Sequence, residues 1–402
     1  MFSQAPIKPH GSISNEFHSE LNIMKLNSEE LNEEKLKAKK LLNVNISFRE
    51  ESDLYLFGSG AYTPLKGFHN HSDWKSVVYD MKLSTLKNVF WPIPITLSIE
   101  KNIANKINLG EEISLSSSET NEIIATMLVE EKYKINKEIE CKNIFNTTSL
   151  DHLGVRMVID QGEINLAGPV KLLSDGFLGF HNKYQLSPIQ SRAMFVKNNW
   201  KKVTAFQICN PIHRSLEYIA KLALELTDGL FIHHLVRKQN PDEIPSNITF
   251  RCVDALIENY FVKNTAVQSG YTIEMRYAGP REALLQAIIH QNYGCTHILI
   301  SRDFAGLGTF YEPYSSQKIF EELWDGALLC KSINTDWTFW CKTCHNVASF
   351  KTCPHSHNER LLINRRLLKE LLKNGKTIPT EFSRQEVINI LKEYYSELDK
   401  IF

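Results

Sequence analysis

The chain has 402 residues, 43% hydrophobic and 23% charged, an ordinary globular composition with room for two or three domains. Lysine plus arginine and aspartate plus glutamate each total 46, so no net charge draws the whole surface toward nucleic acid or a membrane. The N-terminus "MFSQAPIKPHGSISNEF" lacks the apolar core of a secretory signal, and no apolar run approaches the roughly 20 residues that span a bilayer.

These features, with eight mostly scattered cysteines, lead us to expect a soluble cytoplasmic protein in a reducing compartment. In chain order, residues 25–43 carry leucines at helical spacing among charges and predict an exposed amphipathic helix. From about 93 to 170 short strands follow, and "EEISLSS" and "EIIATMLVEE" around the turn "SETN" predict a β-hairpin. From about 188 to 310 the strands "VTAFQI", "GLFIHHLV" and "THILIS" alternate with helical runs such as "PIHRSLEYIAKLALEL" and "REALLQAIIHQNYG". Alternation of this kind predicts βαβ units and a parallel sheet, with ligands beyond the carboxyl ends of its strands.

The stretch "AFQICNPIHRSLEY" places a strand end before a turn and a helix. Pro211 suits the first helical position and Asn210 the N-cap, so the helix is expected to begin there with His213 one turn in. Amides and the positive end of the helix dipole would then face an anion in the turn. An ordinary helix start with a surface histidine has the same sequence signature.

Near the C-terminus, "FWCKTCHNVASFKTCPHSHNER" brings Cys341, Cys344 and Cys353 together with His357, a spacing that closes a tetrahedral Zn²⁺ site on a small knuckle. His355 and His345 are alternative fourth ligands. Such a site is closed and structural.

The segments "GSGAYTPLKGF", "WPIPITL", "EMRYAGPREALLQAIIHQNYGCTHILISRDFAGLG" and "IPTEFSRQEVINIL" together resemble the ATP sulfurylase (sulfate adenylyltransferase) family over roughly residues 45–395. The resemblance implies a multidomain α/β protein. A β-rich, PUA-like barrel would occupy residues 1–186, a Rossmann-like nucleotidyltransferase domain 187–335, and a small zinc-containing domain 336–402. It implies that sulfate attacks the α-phosphate of ATP in line, giving adenosine 5'-phosphosulfate and pyrophosphate, with Mg²⁺ accompanying the nucleotide and no covalent enzyme intermediate. Partners would be these small molecules and other copies of the chain in a homo-oligomer, with neither nucleic acid nor membrane.

The same resemblance implies the site. His213, Asn210 and Arg302 stand at catalytic positions. Gln207, Arg276, Arg281, Asp303 and the turn Ala305-Gly306-Leu307-Gly308 stand at substrate-binding positions. Other positions depart from the pattern. Where the family reads Gln-Thr-Arg-Asn-Pro-x-His-x-x-His, Cys209 replaces the arginine and Leu216 the second histidine. Phe304 replaces a histidine after Arg302 and Asp303, and Ser301 replaces a glycine before them. Gln286 stands for another histidine, and His234, Arg237 and Asn240 for a proline, a glycine and a lysine. Asn364-Arg365-Arg366 matches a Ser-Gly-Thr pattern. Losing one preorganised donor commonly slows such chemistry by about 10²–10³, though residues that act together are non-additive. Three readings follow: a sulfurylase with a rearranged site in which Arg214, Arg237 or Arg366 supplies the missing charge, an adenylyltransferase with a less charged acceptor, or an inactive nucleotide- or partner-binding relative.

Overall fold

A computed structural model describes residues 20–87, 89–174, 183–236, 244–362, 371 and 378–398. The predicted N-terminal helix is shorter than its leucine spacing suggests. It runs over Ser28–Ala38, where Asn27 accepts from the Glu29 and Glu30 amides, and the chain then enters the strand Leu42–Ile46. That strand pairs in parallel with Glu112–Ser117, so tertiary pairing claims Leu42 from the helix. The predicted hairpin forms from Glu112–Ser117 and Ile123–Leu128.

The long strand Ile164–Leu172 organises the N-terminal half. Its first half pairs with Leu97–Ile99 and Glu131–Tyr133, and its second half with Ile123–Leu128 and Gly67–Phe68. The exchange occurs at Gly168, where φ is +148° and a Cβ would lie 1.9 Å from the Leu128 carbonyl oxygen, so glycine is required. The region from 93 to 170 also holds the short helix Lys101–Ala104 and the longer helices Lys137–Phe145 and Leu153–Asp160.

The second half is built on five parallel strands. Ala266–Thr272, Gly229–Val236, Val203–Ile208, His297–Ile300 and Lys331–Asn334 lie side by side in that order. Numbered along the chain this is 3-2-1-4-5, the order of a doubly wound sheet. Alternation along the strands divides the core in two. Val203, Ala205 and Phe231 join the helix Pro280–Asn292 and the N-terminal half in one continuous cluster. Phe206, Ile208, Leu230 and Ile232 face the other way, onto the helices Arg214–Leu224 and Ser246–Tyr260.

The C-terminal segment is shared between two places. A three-stranded knuckle, Thr338–Cys341, Asn346–Ser349 and Arg360–Leu361, encloses a small cluster of Phe339, Cys341, Ala348 and Cys353. The last helix, Gln385–Leu398, instead packs Val387, Ile388 and Leu391 into the second core of the parallel sheet. No helix of the described residues is long and apolar enough to cross a membrane.

Candidate functional site

In a 3-2-1-4-5 sheet the order reverses between the first and fourth strands, and the crevice beyond their carboxyl ends is the place for a ligand. Here those strands are Val203–Ile208 and His297–Ile300, paired through Thr204 with His297 and Ala205 with Ile298. The turns 209–213 and 301–308 therefore leave the sheet side by side at the switch point.

The helix after the first turn begins later than expected. Pro211 and Ile212 are buried, His213 is the N-cap without a side-chain bond to the helix, and Arg214 is the first helical residue. The cause is tertiary. The Arg214 amide donates to the Phe382 carbonyl at 2.9 Å, and the Ser383 hydroxyl donates to the Ile212 carbonyl at 3.1 Å. Residues 382 and 383 thus fix the backbone groups that a helix starting at Pro211 would use. Sequence reasoning missed this clamp, because nothing local marks a contact between such distant segments.

His213 keeps part of its surface open, yet Nδ1 is buried with no hydrogen-bond partner among the described residues, and burial lowers its pKa to about 4. The imidazole is neutral at pH 7. Gln207 sits at the strand end with a buried Oε1 that has no partner among the described residues. Cys209 is exposed and its sulfur accepts from the Asn210 side chain at 3.2 Å.

In the second turn, Ala305 and Gly308 take positive φ of 56° and 53°, and the Phe304 and Gly306 amides close back onto the Ser301 and Asp303 carbonyls. Leu307 is half-buried and its carbonyl accepts the Phe310 amide. Arg302 lies 3.6 Å from the exposed Asp303 carboxylate and stacks on Trp337 at 3.9 Å. Trp337 is a second residue that motif reading missed. An aromatic beside the cysteine cluster is its only sequence signal.

Other expected site residues are engaged elsewhere. Arg276 is buried, and one of its terminal nitrogens donates to both oxygens of Asp53 at 2.6 and 2.7 Å. Arg281 donates to the carbonyls of Val77, Pro92 and Val78, each at 3.1 Å, and burial lowers its pKa to about 10. Both therefore tie the N-terminal half to the loop and helix that follow the strand Ala266–Thr272, and the Arg276 Nη1 is buried without a partner among the described residues. Arg214 faces Glu217 at 3.4 Å, where Lys221 and Arg384 converge as well. Leu216 packs against the second core and Phe304 against the first, so neither apolar replacement turns its side chain wholly into the crevice. Gln286 is buried and accepts from the Tyr271 hydroxyl, while His234 pairs with Gln268 at 2.8 Å. Arg237, Asn240, Asn364, Arg365 and Arg366 lie outside the described residues.

Two cavities border neither turn. One of about 300 Å³ is bordered by Tyr55, Ser59 and Tyr271, and one of about 480 Å³ by Arg49 and Gln161. Both turns converge at the switch point, and phosphate recognition by backbone amides needs no deep pocket.

In the knuckle, Cys341, Cys344, Cys353 and His355 bring their ligand atoms within 4.8 Å of one another. His355 Nδ1 stands 3.5, 3.3 and 3.4 Å from the three sulfurs, and the Cys344 and Cys353 sulfurs are 3.9 Å apart. Tetrahedral ligands of one Zn²⁺ stand about 3.8 Å apart for two sulfurs and about 3.6 Å for sulfur and nitrogen, given ordinary bond lengths. The donors fit that ion. The histidine of this cluster is His355, whose carbonyl accepts from the Arg360 guanidinium at 2.7 Å, while His357 opens the short 3-10 helix His357–Glu359 and is exposed. His345 sits exposed in the turn between two knuckle strands. The knuckle also abuts the helix of the first turn, with Ser215 and Thr338 exchanging hydroxyl-to-carbonyl bonds at 3.4 Å.

Comparison with known proteins agrees with this architecture. Residues 182–394 match the ATP-sulfurylase family model and residues 7–175 that of a PUA-like domain. A sulfate adenylyltransferase of Syntrophobacter fumaroxidans is 47% identical over 98% of this chain and 95% of its own length. Those of Chlorobaculum tepidum and Chlorobium chlorochromatii are 45% and 44% identical, each over 98% of this chain and 96% of theirs. A solved chain described as a hexameric APS kinase from Thiobacillus denitrificans shares the fold, with a TM-score of 0.71 at 20% identity over 93% of this chain and 67% of that one. Identity at this level over nearly the whole length, on a doubly wound sheet joined to a PUA-like domain, places the chain in the ATP-sulfurylase family.

Proposed function

We propose that the chain is a sulfate adenylyltransferase with a rearranged site. A sulfate oxygen forms a bond to the α-phosphorus of ATP as the bond to the bridging oxygen of pyrophosphate breaks, and no proton need move. The observation that carries this reading is the meeting of turns 209–213 and 301–308 at the switch point of the sheet. Catalysis of this kind rests on alignment and on preorganised charge. Asn210 and the neutral His213 would donate to phosphate oxygens, Gln207 would orient sulfate, and Arg302 would meet the charge that develops on the leaving group. Asp303 and the backbone of turn 301–308 would hold the nucleoside, while Mg²⁺ travels with ATP.

The packing of Leu216 and Phe304 against the two cores favours sulfate over a larger, less charged acceptor, since it leaves Cys209 as the exposed replacement at the rim. Zn²⁺ held by Cys341, Cys344, Cys353 and His355 would brace the knuckle against the helix that follows turn 209–213. We read the chain as a PUA-like part over 1–186, a Rossmann-like adenylyltransferase part over 187–335 and a zinc-containing segment over 336–402, working in the cytoplasm as a homo-oligomer. Pyrophosphate release from ATP should require sulfate among a panel of oxyanions. Equal release with every oxyanion, or none with sulfate, would remove the reading.

A further inference from the structure

Arg302 is held by aromatic faces rather than by a close carboxylate. Its guanidinium carbon lies 3.9 Å from the centroid of the Trp337 ring and 5.8 Å from that of Tyr314, whereas the Asp303 contact of 3.6 Å exceeds hydrogen-bond length. Tyr314 is fixed through its ring hydroxyl and Trp337, whose ring is 40% exposed, through its backbone. Asp336 accepts from the Tyr314 hydroxyl at 2.9 Å and from the Trp337 amide at 2.7 Å, and the Tyr314 amide donates to the Arg302 carbonyl at 2.8 Å. Trp337 also lies between two anchored strands, Lys331–Asn334 of the sheet and Thr338–Cys341 of the knuckle. A ring placed this way takes rotamer freedom from a long, partly exposed side chain and leaves its charge aimed in one direction.

We propose that Trp337 is the positioning residue for Arg302 in adenylyl transfer, with Tyr314 and Asp336 holding the ring pair in place. The inference rests on the role given to Arg302 under the proposed function. Trp337 touches no reacting atom in this account, and it acts by keeping the guanidinium where transition-state charge appears.

The test compares Trp337→Leu, Trp337→Phe, Arg302→Ala and the double variant Arg302→Ala with Trp337→Leu, each checked by its melting temperature. The kcat and KM for ATP are measured with sulfate, and ATP affinity is measured in parallel so that the comparison holds at low turnover. Trp337→Leu should lower kcat between about twofold and thirtyfold, the range of a cation–π contact, with a smaller change in KM. Trp337→Phe should restore most of the loss, and the double variant should be no slower than Arg302→Ala alone. A Phe variant as slow as the Leu variant, or a double variant slowed by the product of the single effects, would overturn the proposal. Arg302→Ala with wild-type kcat and ATP affinity would remove the role of Arg302 itself, which is a different outcome from a slow Arg302→Ala beside an unaffected Trp337→Leu.

Discussion

Replacing Arg276 with methionine separates a substrate-binding role from a structural one. The guanidinium and the Asp53 carboxylate are 7% and 1% exposed, and Tyr62 donates to the same carboxylate at 2.9 Å. Arg276→Met leaves Asp53 buried with the tyrosine as its remaining donor, and breaking a buried pair in this way costs about 3–5 kcal/mol. At about 2 °C per kcal/mol for a domain of this size, the melting temperature should fall by about 6–10 °C. Adding Asp53→Leu removes the stranded charge but leaves the Tyr62 hydroxyl without its acceptor, a loss of about 1–3 kcal/mol. A triple variant that also carries Tyr62→Phe should recover to near the wild type. The assay is a thermal melt of the wild type and the three variants in one buffer, beside KM for ATP in those that remain folded at the assay temperature. The ordering carries the test, with the single variant lowest, the double above it and the triple highest. A single variant that melts with the wild type while KM for ATP rises would refute the reasoning and return Arg276 to the substrate.

Cys209→Arg with Leu216→His should raise sulfate-dependent pyrophosphate release by about tenfold or more, and each single change should do less, because a bidentate guanidinium and a second donor act on one transition state; a folded, ATP-binding double variant with wild-type turnover would count against it. Metal analysis should find one zinc per chain, lost in Cys344→Ser and His355→Ala but kept in His357→Ala, and chelation should lower the melting temperature. Zinc retained by His355→Ala and lost by His357→Ala would reverse the ligand assignment. Burial lowers the pKa of His69, His213 and His290 to about 4 and of His234 to about 3, so these rings stay neutral in the fold while an unfolded chain protonates them near pH 6.5. The unfolded state then binds more protons, so this stability is present above pH 6.5 and is lost as pH falls toward 4, by about 1.4 kcal/mol per pH unit for each proton taken up. Denaturant titrations at stepped pH that show no such slope would exclude it.

Local pattern made much of the molecule legible. Strict strand and helix alternation marked the parallel sheet, and turn residues between two apolar runs marked the hairpin. The cysteine spacing marked the knuckle, but the choice among three histidines depended on a helical turn at His357–Glu359 that no spacing rule describes. Motif resemblance located both rim turns. It could not tell that Arg276 and Arg281 bond across to the N-terminal half, because those partners lie 189 to 223 residues away in the chain. The start of the helix at Arg214 was hidden for the same reason. The sequence near Asn210 favours an earlier start, and contacts from residues 382 and 383 override it.

That clamp also sets when the site can exist. The Ser383 hydroxyl bonds a carbonyl 171 positions earlier in the chain. A ribosome adding about 5–20 residues per second leaves roughly ten to thirty seconds between making Ile212 and making its clamp. During that interval the emerging sheet can form, but turn 209–213 is free to extend the helix toward Pro211, as its own residues prefer. A nascent chain stalled before residue 382 lacks both this clamp and the helix that completes the second core, so turn 209–213 should take its final shape only as synthesis nears completion.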